Sequence, residues 1–220
     1  IALRPYRPAP PPALERIADF ARARHAAGGA PLKVRLVKGA NLAMERVHAE
    51  VHGWPQAPYL TKPETDSNYY RQLDLALQPD LADALRVVVP SHNLFPSALA
   101  WELADRRGVT RQLDAEMLQG MAPGQARAVR EVFGTVILYT PVVRTEDFDV
   151  AVSYLVRRLE ENADPENFLH SLFAPEGEGA MDGQEEVFAR AVRSRWETPA
   201  GPRRRQDRTA ESGRQAPRTG

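Results

Sequence analysis

One arginine of this sequence lies where the pattern predicts a buried strand. Arg35 stands between Val34 and Leu36 in an apolar stretch that predicts a strand at 34–37. Burying an unpaired charge is costly, so an inward-pointing Arg35 needs a partner. An anionic or electron-rich ligand would be one such partner. An internal salt bridge to a carboxylate such as Glu116 would be another, and the residues alone leave both open.

Small and polar residues follow this strand and three others. They are Lys38, Gly39, Ala40 and Asn41 after 34–37; Ser91, His92 and Asn93 after 86–89; Leu118, Gln119 and Gly120 after 113–117; and Tyr139, Thr140 and Pro141 after 135–138. In a parallel βα sheet these positions share one edge, where ligands bind. Gly39 and Ala40 would let a ligand approach the backbone closely. Because loops are polar in any protein, a merely solvated edge fits the same pattern.

Two adjacent arginines lie on the best-formed predicted helix, at 146–162. A guanidinium can bind a carboxylate through two parallel hydrogen bonds, so Arg157 and Arg158 could hold a small carboxylate ligand. A solvated arginine face is the alternative, with an ion pair between Arg157 and Glu161 one turn away. Tyr154 and Arg158 have the same spacing, which makes them neighbours on the helix.

The histidines give weaker signals. His92 follows a buried-type strand, where it could hold a cofactor, act as an acid or base, or cap the next helix. His48 and His52 are one helical turn apart and could bind zinc, but the sequence supplies no evident third ligand. A solvated helix face is the favoured interpretation of that pair, and no metal site is predicted.

Strands and helices alternate through the body of the chain, which predicts an α/β fold with βα units around a parallel sheet. The predicted strands are 1–4, 34–37, 86–89, 113–118 and 135–139, and the predicted helices are 13–27, 42–52, 66–78, 96–107, 123–132, 146–162 and 165–173. Five strands could form part of an eight-stranded barrel or an open doubly wound sheet. The glycine fingerprint of dinucleotide-binding sheets is missing, yet periodicity alone does not choose between the two.

Composition narrows the function classes. Of the 220 residues 43% are hydrophobic, which is ordinary for a globular core, and the formal net charge is zero. A neutral chain has no overall field to attract nucleic acid or an acidic membrane. The lack of cysteine excludes thiolate metal sites and a cysteine nucleophile, and it fits a reducing cytoplasm.

The two ends of the chain differ from its body. The chain opens directly in strand-like sequence at Ile1, which predicts a fragment whose fold begins upstream. Residues 176–197 are predicted to be a helical connector. Residues 198–220 contain six arginines against two acidic residues and almost no apolar side chain, so a disordered basic linker is predicted. Contact of this tail with nucleic acid is the less favoured alternative.

Several segments together resemble one enzyme family. They are Arg35-Leu36-Val37-Lys38-Gly39-Ala40, Ser91-His92-Asn93, Leu118-Gln119-Gly120-Met121 and Tyr154-Leu155-Val156-Arg157-Arg158-Leu159 with Glu161-Asn162, in this order. Over about residues 1–175 the chain is similar to the proline dehydrogenase family, specifically the domain found in bifunctional proline utilization A flavoenzymes. The resemblance implies the C-terminal half of a distorted (βα)8 barrel, comprising roughly its last five strands.

The resemblance also implies an activity and its partners. The family binds FAD at the strand carboxyl ends and oxidises L-proline to Δ1-pyrroline-5-carboxylate, moving a hydride from proline C5 to the flavin. Electrons then pass to a quinone or another membrane acceptor, which implies a cytoplasmic protein at the inner membrane face. The tail at 198–220 would lead to a covalently linked aldehyde dehydrogenase domain.

Site residues can be carried over where the motifs match. Arg35 would be catalytic, lying against the flavin and stabilising its reduced form. The cofactor contacts would be Lys38, Gly39, Ala40, Thr61, Lys62, Ser91, His92, Asn93 and Leu118. Arg157 and Arg158 would bind the proline carboxylate, Glu161 would orient one of them, and Tyr139 would help to wall the site.

The chain departs from the family pattern at two places. Asn41 stands where the family often has tyrosine, and Arg4-Pro5 stands where a flavin-binding glutamine and an alanine are usual. The roles of Arg4 and Asn41 therefore stay open. Two other functions also remain: an inactive truncated copy or a non-catalytic carboxylate-binding domain, and a barrel that oxidises a related substrate such as hydroxyproline.

Overall fold

Five parallel strands form one sheet whose spatial order follows the order of the chain. The computed structural model describes residues 1–8, 11–39, 42–163, 168 and 180–204, without the side chains at 11, 12, 43, 157, 160–163 and 180. The strands are β1 (Ala2–Leu3), β2 (Leu32–Leu36), β3 (Leu85–Pro90), β4 (Leu113–Leu118) and β5 (Val136–Tyr139). Each strand pairs in parallel with the next one along the chain.

This uninterrupted order is that of a βα barrel. A doubly wound sheet reverses its strand order at a switch point, and the described strands contain no such reversal. The predicted α/β fold with about five barrel-type strands is therefore confirmed. Within the described residues the sheet is open, with β1 and β5 at its edges.

Seven helices accompany the strands in the described ranges. They are α1 (Pro11–Ala26), α2 (Leu42–Val51), α3 (Lys62–Ala76), α4 (Leu94–Arg106), α5 (Pro123–Phe133), α6 (Phe148–Ala163) and α7 (Ala180–Arg193). The first six match predicted helices, and of the helix predicted at 165–173 the structure describes residue 168 alone. No helix in these ranges is long and apolar enough to cross a membrane.

The largest difference from the predicted boundaries is the start of α3, which begins at Lys62 instead of residue 66. Thr61 caps this helix, because its hydroxyl accepts a hydrogen bond from the Glu64 N–H at 3.4 Å. The Glu64 carboxylate in turn accepts from the Thr61 N–H at 3.2 Å. This reciprocal pair satisfies two N–H groups at the helix start, so the extra turn is stable.

The two faces of the sheet carry different side chains, because the pleat alternates them. One face packs against the helices, and Val34, Leu36, Val87 and Val89 from it belong to the main hydrophobic core. The opposite face carries the ion-paired residues Lys33, Arg35, Arg86, Asp114 and Glu116. In a βα barrel this second face lines the interior.

The segment predicted as a helical connector packs into the core. Helix α7 buries Ala191, which is 3% exposed, in the same cluster as the sheet. The Phe188 ring lies 5.4 Å from the ring of Tyr70 on α3 and 5.1 Å from that of Phe95 on α4. Helix α7 therefore holds two other helices together.

The beginning of the predicted tail is fixed to the same region. The Thr198 carbonyl accepts a hydrogen bond from Arg71 Nη1 at 2.6 Å, and the Pro199 carbonyl accepts one from the Tyr59 hydroxyl at 2.5 Å. Residues 205–220, the larger part of the predicted linker, lie outside the described residues.

Candidate active site

The carboxyl edge of the sheet gathers most of the residues that the sequence singles out. Because all five strands are parallel, their carboxyl ends lie along one edge. Lys38 follows β2, His92 follows β3, Leu118 ends β4 and Tyr139 ends β5. Arg35 lies one residue before the end of β2, on the face opposite the helices. The arrangement is that of a barrel mouth, where ligands bind.

Arg35 forms a two-point ion pair with Glu116 of β4. Its Nε donates to Glu116 Oε2 at 2.8 Å, and its Nη2 donates to Oε1. The Glu116 residue is 5% exposed, whereas the Arg35 side chain keeps 36% of its surface exposed. The hydrogen bond to Glu116 raises the pKa of Arg35 above its usual value, so this guanidinium stays charged. Of the two partners left open by the sequence, the internal carboxylate is present.

A row of two cations with two aromatic rings between them runs from Arg35 to Arg158. The Arg35 guanidinium lies 5.5 Å from the Tyr139 ring centre, and the Tyr139 and Tyr154 rings are 6.1 Å apart. The Arg158 guanidinium lies 5.2 Å from the Tyr154 ring. These distances are within the range of cation–π and aromatic contacts. The row joins the predicted cofactor-side cation to a predicted substrate-side cation.

Tyr154 is a site residue that the sequence analysis did not select. The signal was its spacing of four residues from Arg158 on α6, which places the two side chains on one helix face. The side chains of Arg157 and Glu161 lie outside the described residues, so their predicted roles stay predictions.

Lys38 is held by a buried carboxylate on α3. Its Nζ donates to Asp66 Oδ1 at 2.5 Å, and Asp66 is 4% exposed. The same ammonium lies 5.3 Å from the Tyr69 ring and 5.5 Å from the Tyr70 ring. Burial raises the pKa of both tyrosine hydroxyls, so both rings are neutral and present their electron-rich faces to the cation.

The predicted cofactor residues at the start of α3 belong to the same neighbourhood. Lys62 Nζ lies 3.7 Å from Asp66 Oδ2, so one carboxylate serves two lysines. Thr61 uses its hydroxyl to cap α3 and to donate to Glu64 at 2.8 Å. The structure therefore connects Thr61, Lys62 and Lys38 through one helix end.

Gly39 is needed for packing as well as for its backbone angle. Its φ is +106°, a region that side chains rarely adopt, and a Cβ built there would lie 1.9 Å from Cδ1 of Tyr6. The space above this glycine is therefore filled by the Tyr6 ring, whereas the sequence analysis assigned that space to a ligand. Ala40 and Asn41, the next two residues of the motif, lie outside the described residues.

The loop after β3 has a distinct task for each of its three residues. Asn93 caps α4, because its Oδ1 accepts from the Phe95 N–H at 3.0 Å. The hydroxyl of Ser91 accepts from the Asn93 N–H at 3.0 Å and fixes the turn. His92 Nε2 accepts from the Leu118 N–H at 3.0 Å, which ties the ends of β3 and β4 together.

His92 also keeps one buried donor without a partner. Since Nε2 accepts a hydrogen bond, the proton of the neutral ring is on Nδ1. Burial lowers the pKa of His92, so the neutral form is favoured. Within the described part of the chain, no hydrogen-bond partner reaches the buried Nδ1. A buried donor of this kind at a barrel mouth fits an acceptor from a ligand.

None of the contacts described above involves Arg4, His48 or His52. Arg4, which follows β1, is an exposed residue. The rings of His48 and His52 are 4.5 Å apart, and His52 stacks on Trp54 at 4.4 Å. Among the described residues no group of three metal-ligating side chains occurs.

Comparison with known proteins gives the chain its relatives. The proline dehydrogenase family matches residues 1–171. Proline utilization A from Corynebacterium freiburgense is 53% identical with a TM-score of 0.81, over 94% of this chain and 19% of that chain. The protein of the same name from Bdellovibrio bacteriovorus, inactivated by N-propargylglycine, is 27% identical with a TM-score of 0.73, over 94% of this chain and 20% of that chain.

A third structure is a mutant of proline utilization A from Bradyrhizobium japonicum. It is 24% identical with a TM-score of 0.68, over 92% of this chain and 20% of that chain. At this identity it supports the fold alone. The chain spans about a fifth of the length of these proteins. No curated protein matches it significantly. Because the family match covers more than three quarters of its residues, the chain belongs to the proline dehydrogenase family.

Proposed function

We propose that this chain forms the carboxyl-edge part of an active site that oxidises L-proline to Δ1-pyrroline-5-carboxylate with FAD. The observation that carries the proposal is the row from Arg35 through Tyr139 and Tyr154 to Arg158. Through two tyrosine rings, it links a cation suited to an electron-rich cofactor with a cation suited to a small carboxylate. Family membership supplies the reaction class.

The residues of the edge fit a flavin nucleotide. Such a cofactor carries an anionic pyrophosphate, acceptor atoms and an aromatic ring system. Lys38 and Lys62 supply positive charge at the start of α3. The buried Nδ1 of His92 supplies a donor that needs an acceptor. On this proposal Ala40, Thr61, Ser91, Asn93 and Leu118 complete the cofactor contacts, and Gly39 would contribute through its backbone on the side away from Tyr6. When bound, the flavin would supply the hydride acceptor.

Arg35 has N–H donors that Glu116 does not use and from which a flavin could accept a hydrogen bond. Glu116 occupies Nε and Nη2, and no described residue accepts from Nη1. With its 36% exposed surface, the side chain can face a ligand while the ion pair persists. Its positive charge would favour negative charge that develops on a neighbouring group during reduction.

Arg158 and Arg157 would bind the substrate carboxylate, and Glu161 would orient one of them. Tyr154 holds the Arg158 guanidinium by a cation–π contact, which limits its freedom before the substrate arrives. Preorganisation of this kind lowers the entropy cost of orienting a small substrate. Tyr139, between Tyr154 and Arg35, would wall the space in which the proline ring lies.

The relatives suggest the wider context. Proline utilization A proteins of about five times this length imply a linked aldehyde dehydrogenase domain that would consume the product. A quinone or another membrane acceptor would then reoxidise the flavin, with the protein bound peripherally at the membrane. Both assignments are part of the proposal.

The test is an absorbance titration of the purified chain with FAD, followed by anaerobic addition of L-proline. We expect bound flavin whose visible bands bleach with L-proline. Arg158→Ala should retain the flavin and lose roughly 10- to 150-fold in kcat/KM, the equivalent of one charge-assisted contact. Arg144→Ala is the control, because Arg144 is 82% exposed in a 3.8 Å pair with exposed Glu146.

Each outcome separates the alternatives. If this chain binds no flavin, the titration is repeated with a longer form of the protein, and the absence of flavin binding there would overturn the proposal. Bound flavin that L-proline does not bleach would favour a non-catalytic carboxylate-binding domain. Faster bleaching with hydroxyproline than with proline would change the substrate and leave the site in place.

A further inference from the structure

Glu116 both balances the charge of Arg35 and fixes the orientation of its guanidinium. It is 5% exposed and receives two hydrogen bonds from Arg35, through Nε and Nη2. A carboxylate that binds these two donors fixes the plane of the guanidinium. Arg35 bridges from β2 across β3 to β4, so its orientation is set by the strand that carries Glu116.

This pairing leaves the other side of the guanidinium directed away from the carboxylate. The Arg35 guanidinium also lies 5.5 Å from the Tyr139 ring, at the carboxyl end of β5. Glu116 and Tyr139 thus confine the group from two sides. An arginine with four rotatable bonds in its side chain would otherwise sample many rotamers, and ordering it would cost conformational entropy.

The negative charge of Glu116 has a second consequence. A cation beside a redox cofactor favours the reduced, more negative form, and an anion disfavours it. As a pair, Arg35 and Glu116 have no net charge, so the carboxylate offsets much of the electrostatic effect of the guanidinium. Removal of the carboxylate charge alone would expose the cation.

We propose that Glu116 is the positioning residue for Arg35 and that its charge makes a flavin bound at this edge harder to reduce. The inference rests on the proposed function for its second half only. The first half concerns two side chains of this protein and can be tested without any cofactor.

The same strand offers a matched control. Asp114 is two residues before Glu116 on the same face of β4, is 7% exposed, and pairs with Arg86 at 2.5 Å and Lys33 at 3.0 Å. It is about 7 Å further from the carboxyl edge. Asp114→Asn therefore removes one buried charge from the same strand without touching Arg35.

The cofactor-free experiment uses arginine side-chain NMR. The Arg35 Nε–H signal is identified by its loss in Arg35→Lys. In the wild-type chain we expect it to be protected from solvent exchange at least tenfold relative to an exposed arginine. This protection should fall in Glu116→Gln and persist in Asp114→Asn. An unprotected Arg35 Nε–H in the wild-type chain would overturn the positioning role, whatever the variants do.

The second experiment measures the midpoint potential of bound FAD against a redox dye. Glu116→Gln keeps an acceptor for Arg35 and loses the charge, so we expect a more positive potential. A tenfold shift toward reduced flavin equals about 30 mV for a two-electron couple, and we expect at least that. Asp114→Asn should shift the equilibrium between oxidised and reduced flavin less than threefold.

An unchanged or more negative potential in Glu116→Gln, or an equal rise in Asp114→Asn, would refute the electrostatic role. If neither this chain nor a longer form of the protein binds FAD, the proposed function and that role are overturned together. The NMR result would still decide whether Glu116 positions Arg35, so the two failures are distinguishable.

Discussion

Replacement of Phe188 by alanine tests whether α7 belongs to the core. The ring contacts Tyr70 at 5.4 Å and Phe95 at 5.1 Å, so its loss loosens α7 from α3 and α4 together. Removing a fully buried phenylalanine costs about 3–5 kcal/mol, and each aromatic contact contributes about 0.5–1.5 kcal/mol beyond its buried area. Phe188 is only partly buried, so we expect the free energy of unfolding to fall by about 2–3 kcal/mol.

The assay is urea unfolding followed by circular dichroism. With a slope of about 2 kcal/mol per molar urea, the midpoint should fall by about 1–1.5 M. Val187→Ala is the matched control, because Val187 lies on the same helix and is 38% exposed. It should change the free energy of unfolding by no more than about 0.5 kcal/mol. Equal shifts for the two variants, or no shift for Phe188→Ala, would refute the docking of α7 through this ring.

Two further predictions concern acid stability and backbone strain. Burial alone would raise the pKa of Asp114, yet bonds from Arg86 and Lys33 leave it lowered. The stability that Asp114 contributes is therefore complete above the unfolded pKa of about 3.9 and is lost as pH falls through the lower folded pKa. Asp114→Asn should lower the free energy of unfolding at pH 7 and make it depend less on pH in the acid range, as measured by urea unfolding. An unchanged dependence on pH would contradict this. Gly39→Ala should cost more than about 2 kcal/mol by the same assay, because of its φ and the Tyr6 ring, and a wild-type midpoint would contradict it.

The elements of the fold could be predicted because their signals are local. Alternation of short apolar runs with helical periods predicts each strand and the first six described helices. The early start of α3 was missed, although Thr61 and Glu64 have the spacing of a reciprocal cap. Thr61 and Glu64 are only three residues apart, so this signal is local and present in the sequence.

The partners of the site residues could not be predicted in the same way. The contact of Arg35 with Glu116 joins positions 81 residues apart and depends on the register of three strands. The contact of Gly39 with Tyr6 depends on how the loop after β1 folds back over β2. Such contacts are set by topology. A sequence can therefore identify a residue that requires a partner, but it does not identify the partner.

A salt bridge to Glu116 and a ligand contact are compatible roles for Arg35. A guanidinium has five N–H donors in a plane, and Glu116 uses two of its nitrogens. The hydrogen bond to Glu116 more than offsets the penalty that partial burial imposes on the Arg35 cation, so the pKa of Arg35 is raised. A ligand that arrives at the carboxyl edge then meets a cation that is already oriented. The salt bridge is therefore the condition for a ligand role of Arg35, and the two Glu116 readouts measure its geometry and its charge separately.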